Sequence, residues 1–147
     1  MSIRLFREYA PRIGARVFVD DSAQVIGQVD LADDVSIWPL AVLRGDVNHI
    51  SIGARTNIQD NSVLHVTHDG RFSPGGSPLV IGADVTVGHG VILHACTVED
   101  ACLIGMGAVV LDKAVIGKHS LIAAGAVVAP GKIVEPGQPG VGFRDPK

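Results

Sequence analysis

Six histidines, His49, His65, His68, His89, His94 and His119, are the side chains of this sequence best suited to chemistry. A neutral imidazole is a common metal ligand, and near pH 7 it can also serve as a general base or proton carrier. Two of them follow a leucine, in Leu64-His65 and Leu93-His94, and His89 precedes His94 closely. The two cysteines, Cys96 and Cys102, form no CxxC motif and no disulfide framework, which excludes a cysteine-based zinc site. Cys102 reads as packing, and Cys96 as a corner residue beside His94. Arg44 and Asp46, either side of Gly45, read as a surface ion pair or as part of a polar site. Asn57 either satisfies its own backbone at a corner or serves that site.

Whether these groups meet depends on a repeat. Aliphatic residues recur every six positions as Ile13, Val19, Val25, Leu31, Ile37 and Leu43, then as Ile52, Ile58 and Leu64, then as Ile81, Val87 and Leu93. A last run, offset by one residue, continues through Val98, Ile104, Val110, Ile116, Ile122, Val128 and Val134. The fifth position of each hexad is small or β-branched, from Val17, Ala23, Val29, Val35, Ala41 and Val47 to Thr97, Cys102, Ala108 and Ala114; His68, Lys132 and Gln138 break the rule. Such a period fits neither the 3.6 of a helix nor the 2 of a plain strand. It suits short strands and sharp corners that wind three to a turn, which makes the chain an all-β parallel β-helix of hexapeptide type. The count predicts about six coils and a prism on the order of 30 Å long. Glycines at the second position, such as Gly14, Gly53 and Gly82, are expected to supply unusual corner angles.

The expected organisation is one domain over 1–147, with regular repeats about 13–137 and an irregular tail 138–147. Two interruptions stand out, His49-Ile50-Ser51 and the Gly- and Pro-rich stretch 70–80, which reads as an inserted loop. Composition agrees with a soluble globular protein, at 47% hydrophobic and 18% charged. A net charge of -3 without a basic tract argues against nucleic acid and anionic membrane, and no apolar run is long enough to span a bilayer, so the expected location is cytoplasmic.

The repeat also sets the histidines. His65 and His94 occupy the same hexad position on successive coils, so they should stack about 4.8 Å apart on one outer face. His89 lies one hexad earlier, around a corner, where a neighbouring chain is better placed than this one to bring its ring to the same ion.

The stretches Arg44-Gly45-Asp46-Val47-Asn48, Thr56-Asn57-Ile58-Gln59-Asp60-Asn61 and the ordered set His65, His89 and His94 resemble the gamma-class carbonic anhydrases, in particular their bacterial branch. The resemblance covers nearly all of the chain to about Val134. It implies a left-handed β-helix, a homotrimer, and a metal shared between subunits, with His65 and His94 from one and His89 from the next. Zn²⁺ is the implied cofactor, Fe²⁺ or Co²⁺ being possible alternatives; three imidazoles leave its fourth position open to water, whose pKa falls to about 7 on the metal. Carbon dioxide and bicarbonate are then the implied substrate pair, in a reversible hydration. By the same resemblance Gln59 orients water or substrate, and Arg44, Asp46 and Asp60 form a charge network at the site border.

The chain also departs from the family pattern. Val47 stands where an acidic residue that moves protons is found, and the acidic loop is missing. His68 is nearest that location and is either a proton shuttle or a corner residue bonded to backbone. The family's usual C-terminal helix is expected to be missing, since the sequence ends in a Gly- and Pro-rich tail. Two other functions compete: acyl transfer with a histidine base, as in many hexapeptide-repeat proteins, and a non-catalytic metal-binding trimeric subunit.

Overall fold

The computed structural model describes residues 2–140 and 142. Every regular element among them is a β-strand, from Ile3–Arg4 to Ile133–Val134, and most are two or three residues long. Each pairs in parallel with the strand one coil away, as in the run Ser36, Asn57, Thr86, Leu103 and Leu121. The result is a left-handed parallel β-helix of about seven turns. It exceeds the expected six because Ile3–Arg4 pairs with Val25–Ile26 and adds a rung that lies outside the hexad pattern. A six-stranded sheet forms one face of the prism. A 12-stranded sheet covers the other two, joined because Gln24–Leu31 and Val42–Ile52 run through a corner unbroken.

First-position residues stack along the prism centre, and Ile37, Leu43, Ile58, Leu64, Leu93 and Ile104 are completely buried. Ile13, on a terminal coil, remains exposed because nothing stacks below it. Fifth-position hydroxyls that would be costly inside are satisfied locally: Thr56 donates to the Gly82 carbonyl at 2.7 Å and Ser62 to the Gly88 carbonyl at 2.8 Å.

Corner geometry differs from expectation. The left-handed backbone sits at the fourth position, in a column of Arg16, Asp34, Arg55, Asp84, Ala101 and His119 with φ from 54 to 62°. Second-position glycines such as Gly53 are needed for space instead, since a Cβ there would lie 2.5 Å from the Gly82 carbonyl carbon one coil away. Stacking of the corner column also pairs opposite charges: Arg16 grips Asp34, and Arg55 grips Asp84, each through bonds of 2.7 and 3.0 Å.

All three irregularities shift by a few residues from their sequence reading. Gly27 pairs with Gly45 and Val29 with Ile50, so the three extra residues lie within Asp46 to His49, opposite Gln28, rather than at His49-Ile50-Ser51. Ile50 therefore takes the inward slot and Val47, assigned to it by the period, is 49% exposed. The second insertion is a hairpin closed by an antiparallel Thr67 to Ser77 bridge, while Leu79 and Val80, read as part of the loop, belong to strand Leu79–Ile81. Leu79 fills the inward slot that His68 left vacant in the pattern. The deleted residue precedes Cys96, which is buried inward where Thr97 was expected. Backbone pairing along the coils continues to Gln138, whose carbonyl accepts from the Leu121 N–H at 2.8 Å. No helix occurs among the described residues; of the tail 138–147, residues 141 and 143–147 lie outside them.

Candidate metal centre

Strands Val63–His65 and Ile92–His94 pair in register, with His65 opposite His94. Their side chains point away from the core because Leu64 and Leu93 between the outward positions point into it. The ring centroids are 5.2 Å apart, and His65 Nδ1 faces His94 Nε2 at 3.2 Å.

Each ring is held from behind. His65 Nε2 lies 2.9 Å from Asp46 Oδ1, and His94 Nδ1 lies 2.7 Å from Asp112 Oδ1. On four successive coils the column therefore reads Asp46, His65, His94, Asp112. Asp46 reaches its place because the first insertion begins there, and Arg44 binds its other oxygen. Burial raises the Asp46 pKa, but bonds from His65, the Val47 N–H and Arg44 outweigh it and hold the carboxyl below its usual range. Asp112 is likewise raised by burial and lowered further by the Thr67 hydroxyl and His94.

An ionised carboxylate only accepts hydrogen bonds, so the ring protons belong on His65 Nε2 and His94 Nδ1. That leaves two unprotonated nitrogens, His65 Nδ1 and His94 Nε2, 3.2 Å apart. Such an arrangement repels unless one cation, a proton or a metal ion, sits between them. Two imidazole nitrogens about 2.0 to 2.1 Å from a tetrahedral zinc stand ~3.3 Å apart. The donor pair thus fits zinc in atom type and spacing.

His89 is on the corner after strand Thr86–Val87, in the six-stranded sheet, and its Nδ1 lies 3.2 Å from Asp60 Oδ1. It too has a carboxylate behind it and its Nε2 directed elsewhere. No group of three His, Cys, Asp or Glu in position to hold a metal exists among the described residues. The candidate residues therefore fall in two groups on different faces, Arg44, Asp46, His65 and His94 on one and Asp60 and His89 on the other.

A stretch of the chain, residues 95–130, matches the family described as bacterial transferase hexapeptide (six repeats). The chain is 62% identical to Protein YrdA of Escherichia coli K12, over 65% of its own length and 52% of that protein. It is 50% identical to mitochondrial gamma carbonic anhydrase 1 of Arabidopsis thaliana, over 62% of this chain and 33% of that one. A solved structure of a hexapeptide transferase family protein from Anaplasma phagocytophilum superposes with a TM-score of 0.83 at 40% identity, over 92% of this chain and 75% of the other. The chain belongs to the hexapeptide-repeat family that includes the gamma carbonic anhydrases. It spans about half the length of the E. coli relative and a third of the plant one.

In this hexapeptide-repeat protein the remaining candidates fall as follows. Gln59 lines an apolar groove of about 370 Å³ on the six-stranded face, with Thr86, Gly88, Leu103 and Met106. Asn57, on the same face, donates to Ser36 Oγ at 2.7 Å and leaves its Oδ1 buried without a partner. Both share the His89 side of the prism and neither touches the His65 and His94 pair. His68 is exposed at the hairpin root, its ring over Gly70, and bonds neither histidine. Cys96 is not an outward corner residue; it is buried, and burial pushes its thiol up to about 12. Asp112 and Thr67 were not anticipated. Asp112 follows His94 by 18 residues, but the deletion before Cys96 shortens this coil to 17, since Leu93 pairs with Val110; Asp112 stands one position beyond the residue level with His94, where counting along the repeat does not point.

Proposed function

We propose that the chain is a zinc-type lyase resembling the gamma carbonic anhydrases, acting as a homotrimer in the reversible hydration of carbon dioxide. The observation that carries this reading is the pair of converging, carboxylate-backed nitrogens, His65 Nδ1 and His94 Nε2, at 3.2 Å. His89 of a neighbouring subunit is the third ligand, since this chain's own His89 is committed to another face. A stripe of outward Val42, Val63, Ile92, Val109 and Val127 runs in register beside the pair, with Val63, Ile92 and Val127 exposed. That stripe supports burial against a second copy of the chain.

When bound, zinc supplies the Lewis acidity that makes water a nucleophile near neutral pH; iron or cobalt can fill the same all-imidazole site. The chain's own residues prepare that chemistry. Asp46 and Asp60 hold the far ring protons of His65 and His89, so that the near nitrogens present lone pairs. Arg44 keeps Asp46 ionised and in place. Gln59 and Asn57, brought to the site with the neighbour's His89, orient substrate. Val47 cannot carry a proton, which leaves exposed His68 as the shuttle candidate.

Acyl transfer is the second reading, favoured by the transferase relative. The two separate on one preparation: elemental analysis after dialysis, followed by stopped-flow hydration of carbon dioxide. Stoichiometric zinc and hydration, both lost in His65→Ala, support the first reading. A metal-free protein that acetylates small amines from acetyl-CoA would replace it with the second.

A further inference from the structure

The two insertions into the hexad pattern come together at Thr67. From the first, Asn48 Nδ2 donates to the Thr67 carbonyl at 3.2 Å. Within the second, Thr67 and Ser77 exchange backbone hydrogen bonds of 3.0 Å and close the hairpin. Ser77 Oγ donates to the carbonyl of Ala95, the residue after His94, at 3.2 Å. The Thr67 hydroxyl donates to Asp112 Oδ2, while Asp112 Oδ1 accepts from His94 Nδ1 at 2.7 Å. A regular hexapeptide coil needs none of these bonds, and the two side-chain bonds from Ser77 and Thr67 end on Ala95, beside His94 in sequence, and on Asp112, in hydrogen-bond contact with it.

We infer that Asp112, held by Thr67 at the root of the inserted hairpin, is a positioning residue that fixes the tautomer and the ring orientation of His94, making the hairpin a structural component of the metal site. The Thr67 hydroxyl occupies one carboxylate oxygen and so aims the other at the ring. With Nδ1 protonated toward Asp112, His94 has one nitrogen left for a metal, and it is the one that faces His65. Without that carboxylate the ring can exchange tautomers and rotate about Cβ–Cγ, and the donor pair is no longer set. In metal sites generally, removal of such an outer carboxylate costs about 10- to 100-fold in affinity.

As an inference about a metal ligand this rests on the proposed metal reading, and the test separates the two. Asp112→Ala, Asp112→Asn and Thr67→Val are compared with the parent protein in two measurements. The first uses metal-free protein: long-range ¹H–¹⁵N NMR of the imidazoles should show His94 Nδ1 uniformly protonated, partly unprotonated in Asp112→Ala and largely restored in Asp112→Asn, whose amide oxygen still accepts. The second is zinc affinity by competition with a chromogenic chelator, with the visible spectrum of the cobalt form as a report of ligand geometry. A loss of about 10- to 100-fold is expected for Asp112→Ala, with smaller losses for the other two. If Asp112→Ala does not fold, Thr67→Val, which releases Asp112 Oδ2, carries the comparison against the parent and Asp112→Asn. A His94 tautomer unchanged by these substitutions overturns the positioning role whether or not metal binds. Parent protein that takes up no zinc while His94 shows the expected tautomer overturns the metal reading and, with it, the hairpin's role in a metal site.

Discussion

Gly45 tests how tightly the site depends on coil packing. A Cβ at this position would lie 2.3 Å from the Gln28 carbonyl oxygen and 2.8 Å from its carbon, both backbone atoms of the previous coil. Ordinary contact requires about 1 Å more, and no side-chain rotation supplies it. Gly45→Ala must therefore push neighbouring coils apart at the place where Gly45 pairs with Gly27. Overpacking of this kind costs about 1 to 3 kcal/mol, and the upper end applies because the obstacle is backbone. In a chain of this size ~3 kcal/mol lowers Tm by about 10 °C. The same displacement carries Asp46 away from His65 Nε2, since Asp46 is the next residue. The expected outcome is a calorimetric Tm drop of that order together with weaker zinc retention in chelator competition. A variant with parental Tm and parental zinc affinity would refute both the packing argument and the dependence of His65 on Asp46.

Shared ligation predicts that His65→Ala and His89→Ala each lose all metal, while refolded mixed trimers isolated by differential tags regain one site each; metal-free, well-folded mixed trimers would exclude sharing. Proton transfer should limit hydration, because Val47 is aliphatic; small imidazole buffers should raise the maximal rate and rescue His68→Ala, and an unchanged rate in that variant assigns His68 to structure. Cys96 and Cys102 are buried, so a thiol reagent should label native protein negligibly and label two thiols after denaturation; rapid labelling of the native fold would contradict the inward slot assigned to Cys96. Hydrogen bonds from Arg16 and Arg55 hold Asp34 and Asp84 below the usual carboxylate range. Their contribution is present above the unfolded-state value near 3.9 and is lost as pH falls through the lower folded value. Thermal melts from pH 5 to 2.5 should thus fall less steeply for Asp34→Asn than for the parent, an effect reduced by salt; equal slopes would deny that contribution.

The period of six was enough to determine the architecture, because a prism wound three strands to a turn demands a large apolar residue at each centre. It also set the pairing of His65 with His94, since residues at equal phase on successive coils must stack, and the observed register has them opposite one another. His89 was separable from that pair for the same reason, being a corner away. What the period could not locate was its own interruptions. Val47 and Ile50 are equally apolar, and only hydrogen bonding of the neighbouring coils decides which of them turns inward. Thr97 and Cys96 were confused on the same ground, both being small. The glycines were assigned to strain when their role is clearance, because close approach between coils is a property of the wound chain and leaves no local mark. The proton positions on the histidines belong to tertiary structure alone. They follow from Asp46, Asp60 and Asp112 standing behind the rings, and an insertion in one case and a hairpin root in another bring those carboxylates within hydrogen-bond reach.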